Sequence, residues 1–331
     1  MGLLDHGVWR DIRRSTETEK TGGQFVRKEA QFRNWVTADG SPGPSGEGGF
    51  AAAAGRYHLY VSLACPWAHR ALIFRKLKKL EDMIGVSVVD PAALENGWVF
   101  NEAFPDPLLG LDRFYELYLR VDPHYSGRVT VPTLWDKQRE TIVSNESSEI
   151  IRMFNSAFDG LTGSDLDFYP EPLRGAIDTI NEPVYTHINN GVYRTGFATS
   201  QEAYEEAFTG LFQMLDELDG RLASQRYLVG NRLTEADWRL FTTLIRFDAV
   251  YYGHFKCNLR RIADYANLSG YVRDLYQVPG VKETVDIEQI KRHYYYSHQS
   301  INPTRIVPLG PILDFDAPHG RDRFPAEGRP G

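Results

Sequence analysis

The chain has 331 residues, 42% of them hydrophobic and 13% aromatic, enough to build a sizeable core and long enough for two domains. A formal net charge of −7 is the wrong sign for a nucleic-acid partner, which calls for a basic stripe or domain. No apolar run nears the ~20 residues that span a bilayer, no secretory core opens the chain, and two widely separated cysteines build no disulfide framework, so a cytoplasmic, reducing environment is expected and no membrane.

Residues 1–50 are rich in Gly, Ser, Thr and charge and read as an N-terminal extension able to wrap the domain, since they also carry Trp9, Phe25, Phe32 and Trp35. From Tyr57 the pattern sharpens. Tyr57, Leu59, Val61 and Leu63 alternate with His58, Tyr60 and Ser62, the signature of a half-buried strand. Ile73, Leu77, Leu80 and Ile84 then fall on one face of a helix over 66–79, and Pro66 suits its first turn, where the missing N–H would be unsatisfied anyway. Residues 86–90 read as a second short strand. A loop-rich stretch, 91–126, follows with Trp98, Phe100 and Phe104. Residues 130–136 and 141–144 form a hairpin, and Ser144 or Asn145 is expected to cap the helix carrying Ile150, Ile151 and Phe154.

The order is strand–helix–strand, long connection, strand–strand–helix, a small mixed sheet with helices on it. Composition turns loop-like from Gly160 to Pro172. Beyond it the period is helical to about residue 298, and Leu233-Thr234-Glu235-Ala236-Asp237-Trp238 carries a capping box, with Asp237 in place of the usual Glu or Gln. Residues 301–331 are Pro- and Gly-rich with little period and read as a surface tail.

Cys65 stands where the first strand stops and the helix begins. Amides point outward there and the macrodipole favours negative charge, so a thiol with a free pKa of about 8.5 is shifted toward the thiolate, its nucleophilic form. Ala68 occupies the position a second thiol would need, which excludes an internal Cys-x-x-Cys disulfide. Cys257 has no activating setting and reads as core. A one-cysteine mechanism therefore takes its resolving thiol from outside. The scattered histidines show no metal-ligand spacing and no Gly-rich phosphate loop follows a strand, so neither a metal nor a nucleotide is expected.

The strand–Cys-Pro–helix unit, Val131-Pro132 opening a strand and Asn145-Glu146-Ser147-Ser148 opening a helix resemble a thioredoxin-like glutathione-binding domain. The Thr234–Asp237 box in a helical second half resembles the glutathione transferase superfamily. Cys65-Pro66-Trp67-Ala68-His69-Arg70, Asn190-Gly191-Val192-Tyr193-Arg194-Thr195-Gly196-Phe197-Ala198 and His293-Tyr294-Tyr295-Tyr296-Ser297-His298 together resemble the Xi class, the glutathionyl-hydroquinone reductases. The implied fold is α/β plus all-α. Its parts are the extension 1–50, a thioredoxin-like glutathione-binding domain 51–163 with the insertion 91–126, an all-helical domain 173–300 and the tail 301–331.

The resemblance implies that Cys65 attacks the sulfur of a glutathionyl-hydroquinone, forming a mixed disulfide that a second glutathione resolves. Glutathione is thus the co-substrate, aromatic quinone or hydroquinone conjugates are the small-molecule partners, and a homodimer is implied. Tyr193 and Tyr295 are the implied catalytic tyrosines and Tyr294 a substrate contact. Val131, preceding a cis proline, pairs with the cysteinyl part of glutathione. Glu146 and Ser147 receive its γ-glutamyl end, and Trp98 and Arg128 clamp its glycyl end. A broader cysteine-dependent deglutathionylase, thioltransferase or dehydroascorbate-reductase-like transferase is the alternative. A conjugating transferase fits less well, because it activates glutathione with Tyr or Ser and forms no bond to it.

Overall fold

The computed structural model describes residues 2–11 and 18–330. They form two compact units, one of residues 2–11 and 28–165, the other of residues 18–27 and 166–330. The N-terminal residues are thus divided between the two.

The first unit is built on a four-stranded sheet in the order β4-β3-β5-β6, with β3 at Tyr57–Val61, β4 at Gly85–Val88, β5 at Thr133–Asp136 and β6 at Thr141–Ser144. β3 runs parallel to β4 and antiparallel to β5, and β5–β6 is the expected hairpin. The β3–β4 crossover contains α1, Pro66–Leu77, and α1 packs against α3, Ser147–Ser156. A separate small hairpin, β1 (Leu3–Asp5) and β2 (Val8–Arg10), pairs Leu4 with Gly127.

β3 departs from the half-buried strand expected of its alternation, because all five residues are buried. The insertion supplies the second cover. Tyr60 packs its ring on Phe114 (5.5 Å) and Phe100 (6.1 Å). His58 bonds Ser87 Oγ, which donates to Asp106 Oδ1 at 2.6 Å. Gly85 is required beside it, since a Cβ there would meet the His58 ring at 2.6 Å. Nor is the insertion only loop: it carries α2, Tyr115–Val121, whose Tyr118 hydroxyl joins the network around Thr130 and Asn145.

The cap of α3 falls beyond both residues expected to supply it, Ser144 and Asn145. Asn145 is drawn off to Phe32 N–H and to Tyr118, so Glu146 becomes the N-cap and its carboxylate accepts from Ser148 N–H at 2.9 Å. Residues 28–50 belong to this unit through specific bonds. Arg33 grips the mostly buried Glu149 of α3 with two nitrogens, a bidentate pair of the strong kind.

In the second unit α4 (Arg174–Pro183) gives way to a π-helical stretch, Val184–Asn189, and then α5, Gly191–Gly196. Pro183 lacks the N–H that would continue the i→i−4 ladder, and the chain rewinds with Asn190 N–H bonded to Tyr185 C=O. α6 spans Gln201–Arg221 and α7 Glu235–Arg246. α7 also continues into a π-helical stretch, Phe247–Tyr251. α8 is Leu268–Tyr276, and α9, Ile287–Lys291, runs into a third π-helical stretch, Arg292–Tyr296.

The capping box at α7 forms as expected. Asp237 Oδ2 accepts the Thr234 N–H and hydroxyl, while Oδ1 accepts Leu228 N–H and the Tyr271 hydroxyl, both at 2.8 Å. Burial still pushes its carboxyl up to about 6. The tail is more than a surface covering, because Arg321 is buried and its Nη2 donates to the carbonyls of Leu222, Gln225 and Arg226.

Candidate active site

In the first unit Cys65 is the N-cap of α1, with extended backbone (φ −78°, ψ 121°), Pro66 in the first turn and its C=O accepting His69 N–H at 3.0 Å. Its side chain is half-buried. Sγ lies 3.4 Å from the Val131 carbonyl oxygen, within reach of an S–H donor. The Val131–Pro132 bond is cis. Two residues named from distant parts of the sequence therefore share one spot.

The start of α3 holds Glu146 and Ser147. Glu146 Oε1 accepts from both the amide and the hydroxyl of Ser148. Ser147 is buried, and its Oγ accepts from Arg70 Nη1 at 3.4 Å. Arg70 is itself buried and its guanidinium lies 4.6 Å from the centre of the Trp67 ring. A buried guanidinium at a helix N-terminus makes the place favourable to an anion. Arg70 stands in the second turn of α1, four residues past Pro66, where nothing local in the sequence marks it as a partner of Ser147; that pairing arises only when α1 packs on α3.

Arg128 and Trp98 are both half-buried. Arg128 donates from Nη1 to the Gly2 carbonyl at 3.1 Å. The Trp98 carbonyl accepts Phe114 N–H at 3.0 Å. Trp9 of β2 donates to the Glu95 carbonyl at 2.8 Å and stacks on Tyr115 at 4.9 Å, so the small N-terminal hairpin braces the segments that carry both residues.

The second unit holds a chain of three phenols. The hydroxyl oxygens of Tyr193 and Tyr294 are 2.6 Å apart, and those of Tyr294 and Tyr251 2.9 Å. All three residues are buried, and burial holds Tyr251 and Tyr294 well above the ordinary phenol range. Tyr251 and Tyr294 lie in the π-helical stretches Phe247–Tyr251 and Arg292–Tyr296, and Tyr193 follows closely on the stretch Val184–Asn189. Such stretches are frequent at functional sites.

The tyrosine run divides by environment. Tyr294 turns inward; Tyr295 is half-buried on the His254 ring (4.8 Å), its hydroxyl 3.5 Å from the Ala249 carbonyl; Tyr296 lies under Arg292 and Arg305. The structure thus brings Tyr193 and Tyr294 together and leaves Tyr295 outside their hydroxyl chain. Tyr251 was missed in the sequence. Phe247, Tyr251 and Phe255 stand four residues apart, as ordinary helix core does, and nothing in the sequence separates this phenol from such core. Cys257 is buried, and burial pushes its thiol up, as expected of a core cysteine.

The family model described as "Glutathione S-transferase, N-terminal domain" matches residues 64–157, and "Glutathione S-transferase, C-terminal domain" matches residues 201–274. A curated relative, "Glutathionyl-hydroquinone reductase YqjG" of Escherichia coli (strain K12), is 59% identical over 97% of this chain and 99% of that protein. The chain belongs to the glutathione S-transferase family. Its fold superposes with a TM-score of 0.90 on the glutathione-bound structure of the Escherichia coli K-12 protein, at 56% identity over 98% of this chain and 100% of that one. The Xi class GST from Natrialba magadii superposes with the same TM-score, at 49% identity over 99% and 98% of the two chains. The Xi-class resemblance is thereby confirmed, and the sheet unit of this transferase is the thioredoxin-like fold that was expected. None of its described helices is long and apolar enough to cross a membrane.

Proposed function

We infer that this transferase is a glutathionyl-hydroquinone reductase with glutathione as co-substrate. The observation that carries the reading is Cys65 at the mouth of α1 beside Val131, in a chain that matches the Escherichia coli reductase nearly end to end.

In the proposed reaction the Cys65 thiolate, favoured by the helix terminus, attacks the thioether sulfur of the conjugate. A sulfur–sulfur bond forms and the carbon–sulfur bond breaks. The electron pair leaves with the aromatic carbon, which takes a proton and departs as hydroquinone. A second glutathione thiolate attacks the Cys65–glutathione disulfide, releasing oxidised glutathione and restoring Cys65. Val131 pairs with the cysteinyl backbone. Ser147 and the first amides of α3, with Arg70 behind them, take the γ-glutamyl carboxylate, and Glu146 the ammonium. Arg128 and Trp98 hold the glycyl end. Tyr193 is the proton donor and Tyr294 its hydrogen-bonded support. Tyr295 is assigned to catalysis by the Xi-class resemblance, and Tyr251 joins the set through its bond to Tyr294. Domain bounds of 51–163 and 173–300, a homodimeric state and a cytoplasmic setting complete the proposal.

The test is incubation with glutathionyl-menadiol and excess glutathione, comparing the natural chain with Cys65→Ser. Hydroquinone release with a glutathione adduct on Cys65, both lost in the variant, supports the reading. Exchange of mixed disulfides without hydroquinone release would favour the broader thioltransferase.

A further inference from the structure

Arg27 lies ahead of both family-model matches, in the only short run of the N-terminal residues, 18–27, that joins the second unit among those described. That run is held by several bonds. Thr199 N–H donates to the Gly23 carbonyl at 3.0 Å and Ser200 Oγ to the Gly22 carbonyl at 3.0 Å. Gly23 (φ +87°) is obligatory there, since a Cβ would meet Ser200 Oγ at 2.6 Å. Phe25 packs its ring on Phe197 at 5.4 Å. The run ends with the Arg27 guanidinium 4.9 Å from the centre of the Tyr193 ring, and with Nε donating to Asn190 Oδ1 at 3.0 Å. Asn190 immediately precedes α5, the helix that carries Tyr193.

We propose that Arg27 is a positioning residue for the reductive half of the reaction, its guanidinium holding the Tyr193 ring and placing positive charge on its face as the phenol gives up a proton. The inference rests on the reading above, in which Tyr193 protonates the departing aromatic carbon. A cation over an aromatic face interacts with the ring's π-electrons, and the interaction strengthens as the phenol oxygen becomes negative. That is a stabilisation of the transition state beyond the ground state, the condition for raising kcat. The aromatic rings of Phe25, Phe197, Tyr251, Phe255 and Tyr294 also pack around Tyr193, with buried Arg246 acting on Tyr251 and Tyr294. The bond to Asn190 fixes the guanidinium to the same helix start, so ring and cation are set together.

Two variants separate charge from hydrogen bonding. Arg27→Lys keeps the cation and Arg27→Gln keeps a polar donor without charge. Two reactions of the full chain separate the steps: hydroquinone release from glutathionyl-menadiol, which needs a proton on carbon, and reduction of a glutathione–hydroxyethyl mixed disulfide, which uses Cys65 but no carbon acid. The expected result is that Arg27→Gln slows hydroquinone release about tenfold in kcat with KM little changed, leaves disulfide reduction intact, and is largely rescued by Arg27→Lys. Release by Arg27→Gln at the natural rate, equal losses in both variants, or parallel loss of both reactions overturns the inference alone. A natural chain that reduces the disulfide but releases no hydroquinone overturns the reading beneath it, and the inference with it.

Discussion

The two units build their candidate sites from different materials. In the sheet unit the groups are main-chain amides and carbonyls, a helix terminus and one half-buried thiol, all set close to the ends of strands. In the helical unit they are three buried phenols brought together from separate helices, with each hydroxyl in the chain satisfied by another. Binding a peptide such as glutathione calls for the first kind, because backbone pairing and helix ends recognise carboxylate and amide without special side chains. Delivering a proton in a sheltered place calls for the second, where low dielectric makes each hydrogen bond count for more.

The largest expected effect falls on the sheet unit. Cys65→Ser should reduce hydroquinone release by about 10³-fold or more, as removal of a nucleophile does, with the glutathione adduct absent from the intact mass. Retained turnover would move the chemistry off this residue.

Next comes acid stability, where the units should part. Burial pushes the His58 imidazole from 6.5 down to about 4. Its folded pKa is depressed, so stability present above pH 6.5 is lost as pH falls toward 4, up to about 3 kcal/mol at ~1.4 kcal/mol per unit. In the helical unit His254, pushed down to about 3, acts in the same direction, whereas Asp274, held low beside Arg226, contributes stability that is lost only below pH 3.8. His254 is opposed by Asp237, raised to about 6, and by Asp248, also raised, whose contributions are present in acid and lost as pH rises. Amide exchange from pH 7 to 4.5 should therefore open β3 before α7. The reverse order would contradict the account of His58.

A smaller effect separates the tyrosines. Tyr294→Phe removes the hydroxyl that joins Tyr193 to Tyr251 and should slow release about 30-fold, near 2 kcal/mol. Tyr295→Phe should cost less, because its hydroxyl has only a long contact to Ala249. Single-turnover rates for the two variants decide the order, and a larger loss in Tyr295→Phe would transfer the acid role to it. The smallest effect belongs to Cys257. Iodoacetamide near neutral pH should label Cys65 and spare Cys257, while Cys257→Ala costs about 1 kcal/mol of stability and leaves turnover as it was.

Much of the first unit was legible because its signals are local. The period of 57–63, Pro66 after Cys65, and the hairpin at 130–144 each depend on neighbouring residues, and the elements form where these signals lie, with ends shifted by up to three residues. What was read wrongly there came from afar. β3 looked half-buried because its polar face carries His58 and Tyr60, and the insertion that covers that face lies beyond residue 91. The cap moved from Asn145 to Glu146 because Tyr118 and Phe32 claim the Asn145 side chain.

By itself the sequence determined where a strand yields to a helix and hence where a thiol meets free amides, since backbone geometry is set by near neighbours and by prolines. It also carried the motifs that tie this chain to the Xi class. Only the tertiary structure decided that Arg70 stands behind Ser147, that Tyr251 completes the phenol chain, and that Arg27 rests on Tyr193. Those pairings join residues 43 to 166 positions apart, and no period or local preference specifies which buried polar groups must find one another once water is gone.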